Sequence, residues 1–252
     1  MGKSNRELIY GVNAVKAALD TNPERITCAW LAKGREDDRR MQRLQADLER
    51  CGVRVQQALP HFLDEKTQGG VHQGIIIEVL AEPPRREDFL QELVSKEGDQ
   101  LLLLLLDGVT DPRNLGAAMR CAWAAGAQGV VVPKDHSATL TPEGRKSAAG
   151  AASALPLIVV TNLSRTIEGL KEKGVTVAGL AGEAEHSLFD HQFTGPAALV
   201  LGAEDKGLRH LTREKCDVLL SIPLSGGAES LNVSVAAGIA LYEVVRQRLA
   251  RN

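Results

Sequence analysis

Three short segments place polar side chains where an apolar run gives way to a loop or a helix. The first, DGVTDPRNLGAAMRCAWAAG, carries Asn114 and Arg120. The second, VLGAEDKGL, brings Glu204 directly off an apolar run into a loop bounded by glycines. In the third, Ser230 and Asn232 alternate with apolar residues just before a strongly helical pattern. This third segment predicts a helix start whose polar groups face something specific.

Each of these residues also has a purely structural interpretation. Asn114 follows an Asp-Pro turn and is a good N-cap for the helix that comes after it. A glutamate in a loop, such as Glu204, usually lies on the surface. Arg120 is harder to explain in this way, because its neighbours are alanines, a methionine and a cysteine, and burying an unpaired guanidinium is costly.

Several familiar site chemistries are absent from the sequence. No G-x-G occurs in the 252 residues, which excludes the dinucleotide fingerprint and the glycine-rich loop of ordinary Rossmann-type methyltransferases. No G-x-x-x-x-G-K-[ST] phosphate-binding loop occurs either. The four cysteines lie tens of residues apart, without a C-x-x-C pair or a nearby histidine cluster. We therefore expect no metal site and no disulfides, but reduced, buried thiols in a cytoplasmic protein.

Composition does not by itself indicate a nucleic-acid-binding protein. The 30 Lys and Arg residues against 32 Asp and Glu residues give a net charge of −2. Aromatic residues make up 3% of the chain, too few for base stacking to be the main mode of nucleic-acid recognition. The longest apolar run, 101–106, is far shorter than the roughly 20 residues of a membrane-spanning helix, so we expect no membrane segment.

Residues 1–79 predict a compact N-terminal α/β unit. Helices are expected at Val12–Leu19 and Glu36–Arg50, the second with one apolar stripe on a charged surface. Strands are expected at ITCAWL and at Gln73–Val79. Two consecutive prolines then break the pattern, and we place a linker over 80–98.

Residues 99–252 alternate near-continuous apolar runs with helical patterns. This alternation is typical of a mostly parallel sheet covered by helices on both faces, so the second domain is predicted to be α/β. Such a sheet usually binds its ligand at the carboxyl ends of its strands, where the loops gather. All three polar segments follow an apolar run, which places them at this edge.

Taken together, the three segments resemble the motifs of a known enzyme family. N-x-G-x-x-x-R, L-G-x-E-x-x-G-L and I-P-L…S-L-N-V-S-V-A, in this order, are similar to the motifs of the SpoU (TrmH-like) branch of the SPOUT RNA ribose methyltransferases. IYGVNAVKAAL and VHQGI resemble the substrate-binding domain of the subgroup that methylates a guanosine ribose in 23S ribosomal RNA. The resemblance covers nearly the whole chain. It departs from the subgroup at Asn13, where histidine is common, and at Asp205-Lys206.

The resemblance implies a fold, a cofactor and a set of site residues. It implies an N-terminal RNA substrate-binding domain, and a C-terminal SPOUT domain in which a deep trefoil knot holds S-adenosylmethionine. The cofactor-binding positions carried over are Gly202, Ile222 and Leu231. The polar, catalytic positions carried over are Asn114, Arg120, Glu204, Ser230 and Asn232. It also implies a homodimer. Apolar residues of the last helix would either form the dimer interface or be buried within one subunit; these are Ile239, Leu241, Val244 and Val245.

The implied reaction is methyl transfer from a sulfonium to a ribose hydroxyl, an in-line displacement that needs alignment and loss of the hydroxyl proton. The resemblance gives activation of the hydroxyl to Arg120, although a guanidinium ordinarily keeps its proton. Either Arg120 is held partly deprotonated and takes the proton, or it stays charged, binds the adjacent phosphate and stabilises the forming alkoxide. Asn114 and Ser230 or Asn232 would orient Arg120 and the ribose, and Glu204 would hold the arginine or a backbone amide.

Other functions fit the same sequence less well. In the first alternative, the chain is a methyltransferase that modifies transfer RNA or another ribosomal RNA site. In the second, it is a non-enzymatic RNA-binding ribosome factor that keeps the fold. The second reading does not explain why five polar motif residues are intact. Because the net charge is close to zero, RNA phosphates must meet basic groups placed locally. The candidates near the catalytic loops are Arg113, Arg120, Arg145 and Lys146.

Overall fold

The computed structural model describes residues 6–35, 37–80 and 85–251, which form two sheets. The N-terminal sheet has the strand order β1-β4-β2-β3; β2 and β3 are parallel, whereas β4 is antiparallel to both β1 and β2. The elements of this domain are β1 (Arg6–Tyr10), α1 (Val12–Thr21), a 3-10 turn (Pro23–Arg25), β2 (Ile26–Ala32), α2 (Arg39–Arg50), β3 (Arg54–Ala58), α3 (Pro60–Lys66) and β4 (Ile75–Leu80).

The two faces of the N-terminal sheet are covered unequally. Helices α1 and α2 bury Val15 and Leu48 against one face. The other face is covered by α3, whose Leu63 packs on Trp30 and Ile76. The sequence correctly predicts α1, β2, α2 and β4 to within a few residues, but it does not predict β1, β3 or α3.

The C-terminal domain contains a seven-stranded sheet in the order β7-β6-β5-β10-β8-β11-β9. Every paired strand in it is parallel, which confirms the predicted α/β fold. Its elements are α4 (Glu87–Glu97), a 3-10 turn (Gly98–Gln100), β5 (Leu102–Asp107), α5 (Pro112–Ala124), β6 (Gly129–Pro133), α6 (Pro142–Ala148), α7 (Ala151–Ala154), β7 (Leu157–Val160), α8 (Leu163–Glu172), β8 (Thr176–Leu180), β9 (His186–Ser187), β10 (Ala197–Gly202), α9 (His210–Lys215), β11 (Val218–Ser221) and α10 (Val233–Leu249).

The leucine run forms β5, a fully buried strand between β6 and β10 in the interior of this sheet. Leu102, Leu104 and Leu106 pack with α5, α6, α7 and α10 on one face, whereas Leu103 and Leu105 pack with α4 and α8 on the other. Because both faces are covered, neither set of side chains has to be polar, and the strand appears in the sequence as a continuous apolar run. Within the described part of the chain, no helix is long and apolar enough to span a membrane.

The segment predicted as a linker is largely helical. Helix α4 occupies Glu87–Glu97, and its Leu90 and Val94 are buried in the same core cluster as Ile158 of β7. The Glu87 carboxylate also accepts a hydrogen bond from the backbone N–H of Thr161. This part of 80–98 therefore belongs structurally to the C-terminal domain, while 81–84, which include the two prolines, lie outside the described residues.

Helices α5 and α6 cross so closely that two glycines are required at the contact. A Cβ atom added to Gly116 would lie 2.0 Å from the carbonyl oxygen of Gly144, and one added to Gly144 would lie 2.7 Å from the carbonyl oxygen of Pro112. Both clashes are with backbone atoms, which cannot move aside as a flexible side chain can. The short α6 is therefore held against the first turns of α5.

We expect Gly116→Ala to lower the free energy of unfolding by about 3 kcal/mol, the upper end of the usual overpacking effect. Gly169→Ala is the matched control, because Gly169 also lies inside a helix but has nothing within 4 Å of the added Cβ. That substitution should raise stability by about 0.5–1 kcal/mol. Urea unfolding of both variants measures the difference, and equal midpoints would show that the helices do not cross this tightly.

The four cysteines are free, but none of them is fully buried, so the prediction of buried thiols is wrong. Cys51 is exposed at the end of α2. Cys216 is half-buried, and desolvation is the main cause that raises the pKa of its thiol to about 11. At pH 8 only about one in a thousand of such thiols is ionised. We expect iodoacetamide to modify Cys51 at least about tenfold faster than Cys216. Peptide mass mapping over time measures the two rates, and faster modification of Cys216 would show that this placement is incorrect.

Candidate functional site

The carboxyl ends of β5 and β10 lie side by side at one edge of the large sheet. Their register pairs Gly202 with Asp107, the last residue of each strand. The loop after β5 leads into α5, and the loop after β10 carries Glu204. Helix α10 packs against α5, so that the start of α10 also reaches this edge. The three sequence segments therefore meet at one place.

Three of the predicted side chains form a hydrogen-bonded cluster there. Asn114 Nδ2 donates to Glu204 Oε1 at 3.1 Å, and Asn232 Nδ2 donates to Asn114 Oδ1 at 3.1 Å. Asn232 Nδ2 also donates to Glu204 Oε1. The same carboxylate oxygen accepts the backbone N–H of Val233 at 3.1 Å. Glu204 thus holds a backbone amide, one of the two roles expected for it, and joins all three segments.

The helix caps explain how the two asparagines reach Glu204. Asp111 caps α5 by accepting the N–H of Arg113 at 2.8 Å, so the interpretation of Asn114 as the cap is wrong. Asn114 lies in the first turn and is free to point across the loops. The same Arg113 guanidinium holds the pKa of Asp111 below its usual value. Asn232 is the N-cap of α10, and its Oδ1 accepts both the N–H and the hydroxyl of Ser234.

Arg120 and Ser230 are not brought into this cluster. Arg120 is exposed and makes no hydrogen bond or ion pair with the residues that the structure describes. It follows Asn114 by six residues, which places the two side chains about 120° apart around the helix. Ser230 lies in an exposed stretch before α10 and likewise has no polar partner among the described residues. Within this single chain, Asn114 and Asn232 therefore make no contact with Arg120, and their role in orienting Arg120 and the ribose stays a prediction.

Gly202 lies where the backbone folds back on itself. A Cβ atom there would lie 2.0 Å from the carbonyl carbon of Gly207 and 2.3 Å from the N of Leu208. Gly207 has a φ of 61°, and its N–H donates to the carbonyl of Ala203 at 2.8 Å. The loop 202–208 therefore forms a tight return in which the backbone of Gly207 and Leu208 packs directly on Gly202.

The other two positions predicted to bind the cofactor lie along the same edge of the sheet. Ile222 directly follows β11 and packs against the core, while Leu231 precedes the first residue of α10 by two positions. Both side chains are half-buried. Parallel strands end on the same side, so the ends of β10 and β11 bring Gly202 and Ile222 to one edge, with β8 between them. The result is a tightly turned loop, 202–208, with two half-buried aliphatic side chains at the same edge of the sheet.

Sequence reasoning missed one buried polar residue next to the cluster. Asp107 is 1% exposed, and its Oδ2 accepts the backbone N–H of Arg209 at 2.9 Å. Its Oδ1 lies 3.5 Å from Nε of Arg209. These contacts tie the end of the 202–208 loop to the end of β5. A charged residue that ends a leucine run is a signal the sequence contained, because a carboxylate next to such a strand needs a partner.

The expected basic groups are distributed differently from the prediction. Arg113 pairs with Asp111 at 3.2 Å and remains largely exposed, and Lys146 is exposed. The prediction is wrong for Arg145: its side chain is only 16% exposed and forms an ion pair with Glu7 of the N-terminal domain. Arg145 therefore lies between the two domains. No group of three His, Cys, Asp or Glu side chains able to hold a metal occurs among the described residues.

Comparison with known proteins identifies the family of this chain. Residues 101–242 match the SpoU rRNA Methylase family, and residues 8–84 match the model described as RNA 2'-O ribose methyltransferase substrate binding. The chain is 52% identical over 242 residues to the 23S rRNA (guanosine-2'-O-)-methyltransferase RlmB of Yersinia pestis, which covers 96% of this chain and 98% of that protein. It has the same identity to RlmB of Escherichia coli K12, over 96% of this chain and 99% of that protein.

A solved structure matches the fold over both domains. The SpoU methyltransferase AviRb from Streptomyces viridochromogenes, in complex with the cofactor AdoMet, aligns with a TM-score of 0.81 at 26% identity. The alignment covers 98% of this chain and 91% of that one. The matched family region contains all three segments that meet around Glu204. The chain therefore belongs to the SpoU rRNA methylase family, with the substrate-binding domain of RNA 2'-O-ribose methyltransferases at its N-terminus.

Proposed function

We propose that this protein transfers a methyl group from S-adenosylmethionine to the 2'-hydroxyl of a guanosine in 23S ribosomal RNA. The observation that carries the proposal is the cluster of Asn114, Glu204 and Asn232, which joins the three family segments in one hydrogen-bonded unit. The proposed substrate is supported by the 52% identity to relatives named as 23S rRNA guanosine-2'-O-methyltransferases.

The carboxyl edge of the sheet fits the cofactor. Any Cβ at Gly202 would collide with the backbone of Gly207, so a glycine is needed to keep the 202–208 loop in this tight return, and backbone groups of this loop would bind the adenine or the ribose. Ile222 and Leu231 supply half-buried aliphatic surface for the adenine ring. When bound, S-adenosylmethionine supplies the methyl group from its sulfonium. Asp107 would keep the loop in this form by holding the N–H of Arg209.

The residues of the cluster would act by orientation. Glu204 fixes Asn114 and Asn232, and a fixed amide can hold the ribose or its phosphate without reorganising during the reaction. Arg120 is exposed to solvent, and no carboxylate among the described residues pairs with it. This favours the version in which Arg120 stays charged, binds the phosphate next to the target ribose and stabilises the forming alkoxide while the proton leaves to water. Ser230 would contact the substrate from the exposed stretch before α10.

We further propose that the protein is a homodimer. Leu241 and Val244 of α10 are fully buried within the subunit, so the apolar face predicted to meet a partner is wrong for these two residues. A different apolar surface is exposed where α10 meets α5: Trp123 is 45% exposed and Tyr242 51% exposed. Tyr242 donates to the carbonyl of Ala124, which ties this surface together. Exposed aromatics of this kind are typical of interface cores.

The remaining parts of the proposal follow from the family. The segment 1–79 would bind the RNA substrate, and 99–252, with α4 packed on its sheet, would carry the methyltransferase with its deep trefoil knot. A protein that modifies ribosomal RNA works in the cytoplasm, on the ribosome or its precursors. The knot predicts slow refolding, because a chain end must be threaded before the native contacts form.

Calorimetry with S-adenosylmethionine distinguishes two hypotheses for this chain: an active methyltransferase, and a ribosome factor that keeps only the fold. We expect saturable binding of one cofactor per subunit, lost when Gly202 is changed and kept when Arg120 is changed. A full-length, folded protein that binds ribosomal RNA but takes up no S-adenosylmethionine would instead support the non-enzymatic factor.

A further inference from the structure

The short helix α6 lies between the N-terminal domain and the helix that carries Asn114. On one side, Gly144 packs against the backbone of Gly116 in α5. On another side, Arg145 forms an ion pair with Glu7 of β1, the strand at the edge of the N-terminal sheet. Two adjacent residues of α6 therefore contact the two domains.

A second contact joins the end of α6 to the N-terminal domain. Gly150, between α6 and α7, has a φ of 104°. A Cβ atom added there would lie 2.8 Å from the Cβ of Ala17 on α1 and 3.8 Å from the ring of Trp123 on α5. Helix α1 of the N-terminal domain thus approaches the backbone of this bend without an intervening side chain.

The ion pair between Arg145 and Glu7 is sheltered from water. The side chain of Arg145 is 16% exposed and that of Glu7 is 33% exposed. Water and salt screen such a pair less than one on the open surface. Removing one partner leaves the other charge partly desolvated and uncompensated, which is more costly than losing a surface pair. The pair therefore contributes to how firmly the N-terminal domain packs on α6.

Helix α6 and the loop that precedes it support the part of α5 that carries Asn114. Asn114 lies two residues before Gly116, and Gly116 packs on the carbonyl of Gly144. The loop after β6 is tied to the loop after β5, because the N–H of Ala138 donates to the carbonyl of Val109 at 2.7 Å. These contacts are between backbone atoms, so no flexible side chain can absorb a displacement of α6. A shift of α6 would be passed on to Asn114.

We propose that Arg145 is a positioning residue for methyl transfer, which couples docking of the N-terminal domain to the placement of Asn114. When the domain is docked, Glu7 holds Arg145, α6 supports the first turns of α5, and Asn114 donates to Glu204 at 3.1 Å. When the domain is released, this support weakens and the amide is held less firmly. The inference rests on the proposed function: RNA held by the first domain is methylated efficiently only while that domain is docked.

Two variants of the full-length protein weaken docking without changing the C-terminal domain. Glu7→Gln removes the charge and keeps the size of the side chain. Ala17→Leu adds bulk where α1 meets Gly150 and changes no charge. Because one variant acts by charge and the other by shape, an effect that they share reports the domain contact itself.

Each variant has a matched control away from this contact. Lys171→Gln breaks a partly exposed ion pair, 3.0 Å long, with Asp217 at the amino end of β11, on the edge of the sheet opposite to the Glu204 cluster. Ala46→Leu adds the same bulk as Ala17→Leu at an exposed position on α2 of the N-terminal domain.

Amide hydrogen exchange of the protein without RNA or cofactor tests the coupling independently of activity. We expect amides of α5 and α6 to exchange roughly 5- to 10-fold faster in Glu7→Gln and Ala17→Leu, and at the wild-type rate in both controls. Exchange in β5 and α8 should stay at the wild-type rate in all four variants. General loss of stability would instead raise exchange throughout the C-terminal domain.

Methyl transfer to a 23S rRNA transcript tests the effect on the reaction. We expect kcat to fall roughly 5- to 10-fold in Glu7→Gln and Ala17→Leu, with the affinity for S-adenosylmethionine and the KM of the transcript within about twofold of the wild type. The double variant Glu7→Gln, Arg145→Gln should lower kcat no further than Glu7→Gln, because the pair is already broken. If Glu7 instead faced the RNA directly, removing its charge would lower the KM of the transcript and leave kcat unchanged.

Wild-type exchange of α5 in both Glu7→Gln and Ala17→Leu would overturn the coupling. Faster exchange with an unchanged kcat would also overturn it, because the contact would then be structural only. Failure of the proposed function gives a different result: the wild-type protein itself would transfer no methyl group, while the exchange of α5 would still decide whether the two domains are coupled.

Discussion

Replacing Arg120 by alanine is expected to lower the rate of methyl transfer by about 10²- to 10³-fold, the usual effect of removing a group that stabilises developing negative charge. Binding of S-adenosylmethionine should stay within about twofold of the wild type, because Arg120 is exposed and makes no polar contact with the described parts of the cofactor edge. Single-turnover rates with labelled cofactor, together with calorimetry, give both quantities.

Two controls make this result specific. Arg165→Ala removes an exposed arginine from α8, on the other face of the sheet, and should leave the rate unchanged. Arg120→Lys keeps the charge but not the planar, bidentate donor, so we expect it to recover only part of the rate. Near-full activity of Arg120→Lys would contradict both versions of the arginine's role.

The pH profile distinguishes those two versions. If Arg120 stays charged, Arg120→Ala should lower the rate at every pH and leave the shape of the profile unchanged. If Arg120 accepts the proton, the variant should lose the rise of rate with pH that reports its own deprotonation. The solvent exposure of this side chain leads us to expect the first result.

Replacing Gly202 by alanine is expected to reduce affinity for S-adenosylmethionine by at least about 100-fold. The added Cβ would lie 2.0 Å from the carbonyl carbon of Gly207, so the backbone of the loop must shift, and a shift of about 1 Å at a site of this kind is enough for such a loss. Calorimetry measures the affinity, and circular dichroism confirms that the variant is folded.

Gly195→Ala is the matched control for this substitution. Gly195 precedes the opposite end of the same strand β10, and an added Cβ there has nothing within 4 Å. Its affinity for the cofactor should equal that of the wild type. Cofactor binding by Gly202→Ala within about threefold of the wild type would mean that the 202–208 loop does not form this tight return when the ligand is bound.

The large sheet could be predicted because its strands are buried on both faces. A strand such as Leu102–Asp107 then has no polar face, so its burial can be recognised in the sequence as an almost continuous apolar run. Helix α4 shows where the same reasoning failed. Leu90 and Val94 have helical spacing, but the two preceding prolines and the surrounding charges made a linker the simpler prediction.

The candidate site could be predicted only in part, because the contacts that decide it are distant in sequence. Asp111 and Asn114 are both good N-caps, and local preference does not choose between them. Glu204, 90 residues away, makes Asn114 part of the cluster and leaves the cap to Asp111. The family motifs located these residues, but they did not show which of them touch.

Arg145 shows a different limit. On α6, Gly144 and Arg145 are adjacent in sequence but about 100° apart around the helix, so one faces α5 and the other faces the N-terminal domain. The sequence near Arg145 gives no sign of where that domain packs. The sequence therefore predicts that Arg145 contacts RNA, whereas in the structure Arg145 pairs with Glu7 across the domain boundary.

Methyl transfer from labelled S-adenosylmethionine to separate 23S rRNA and transfer RNA transcripts, followed by digestion to nucleosides, tests the central proposal most directly. We expect label in 2'-O-methylguanosine from 23S rRNA at one position, none from transfer RNA, and labelling of 23S rRNA about 10²- to 10³-fold slower when Arg120→Ala is used. Label in transfer RNA alone, or in a methylated base in place of a ribose, would contradict the proposed function.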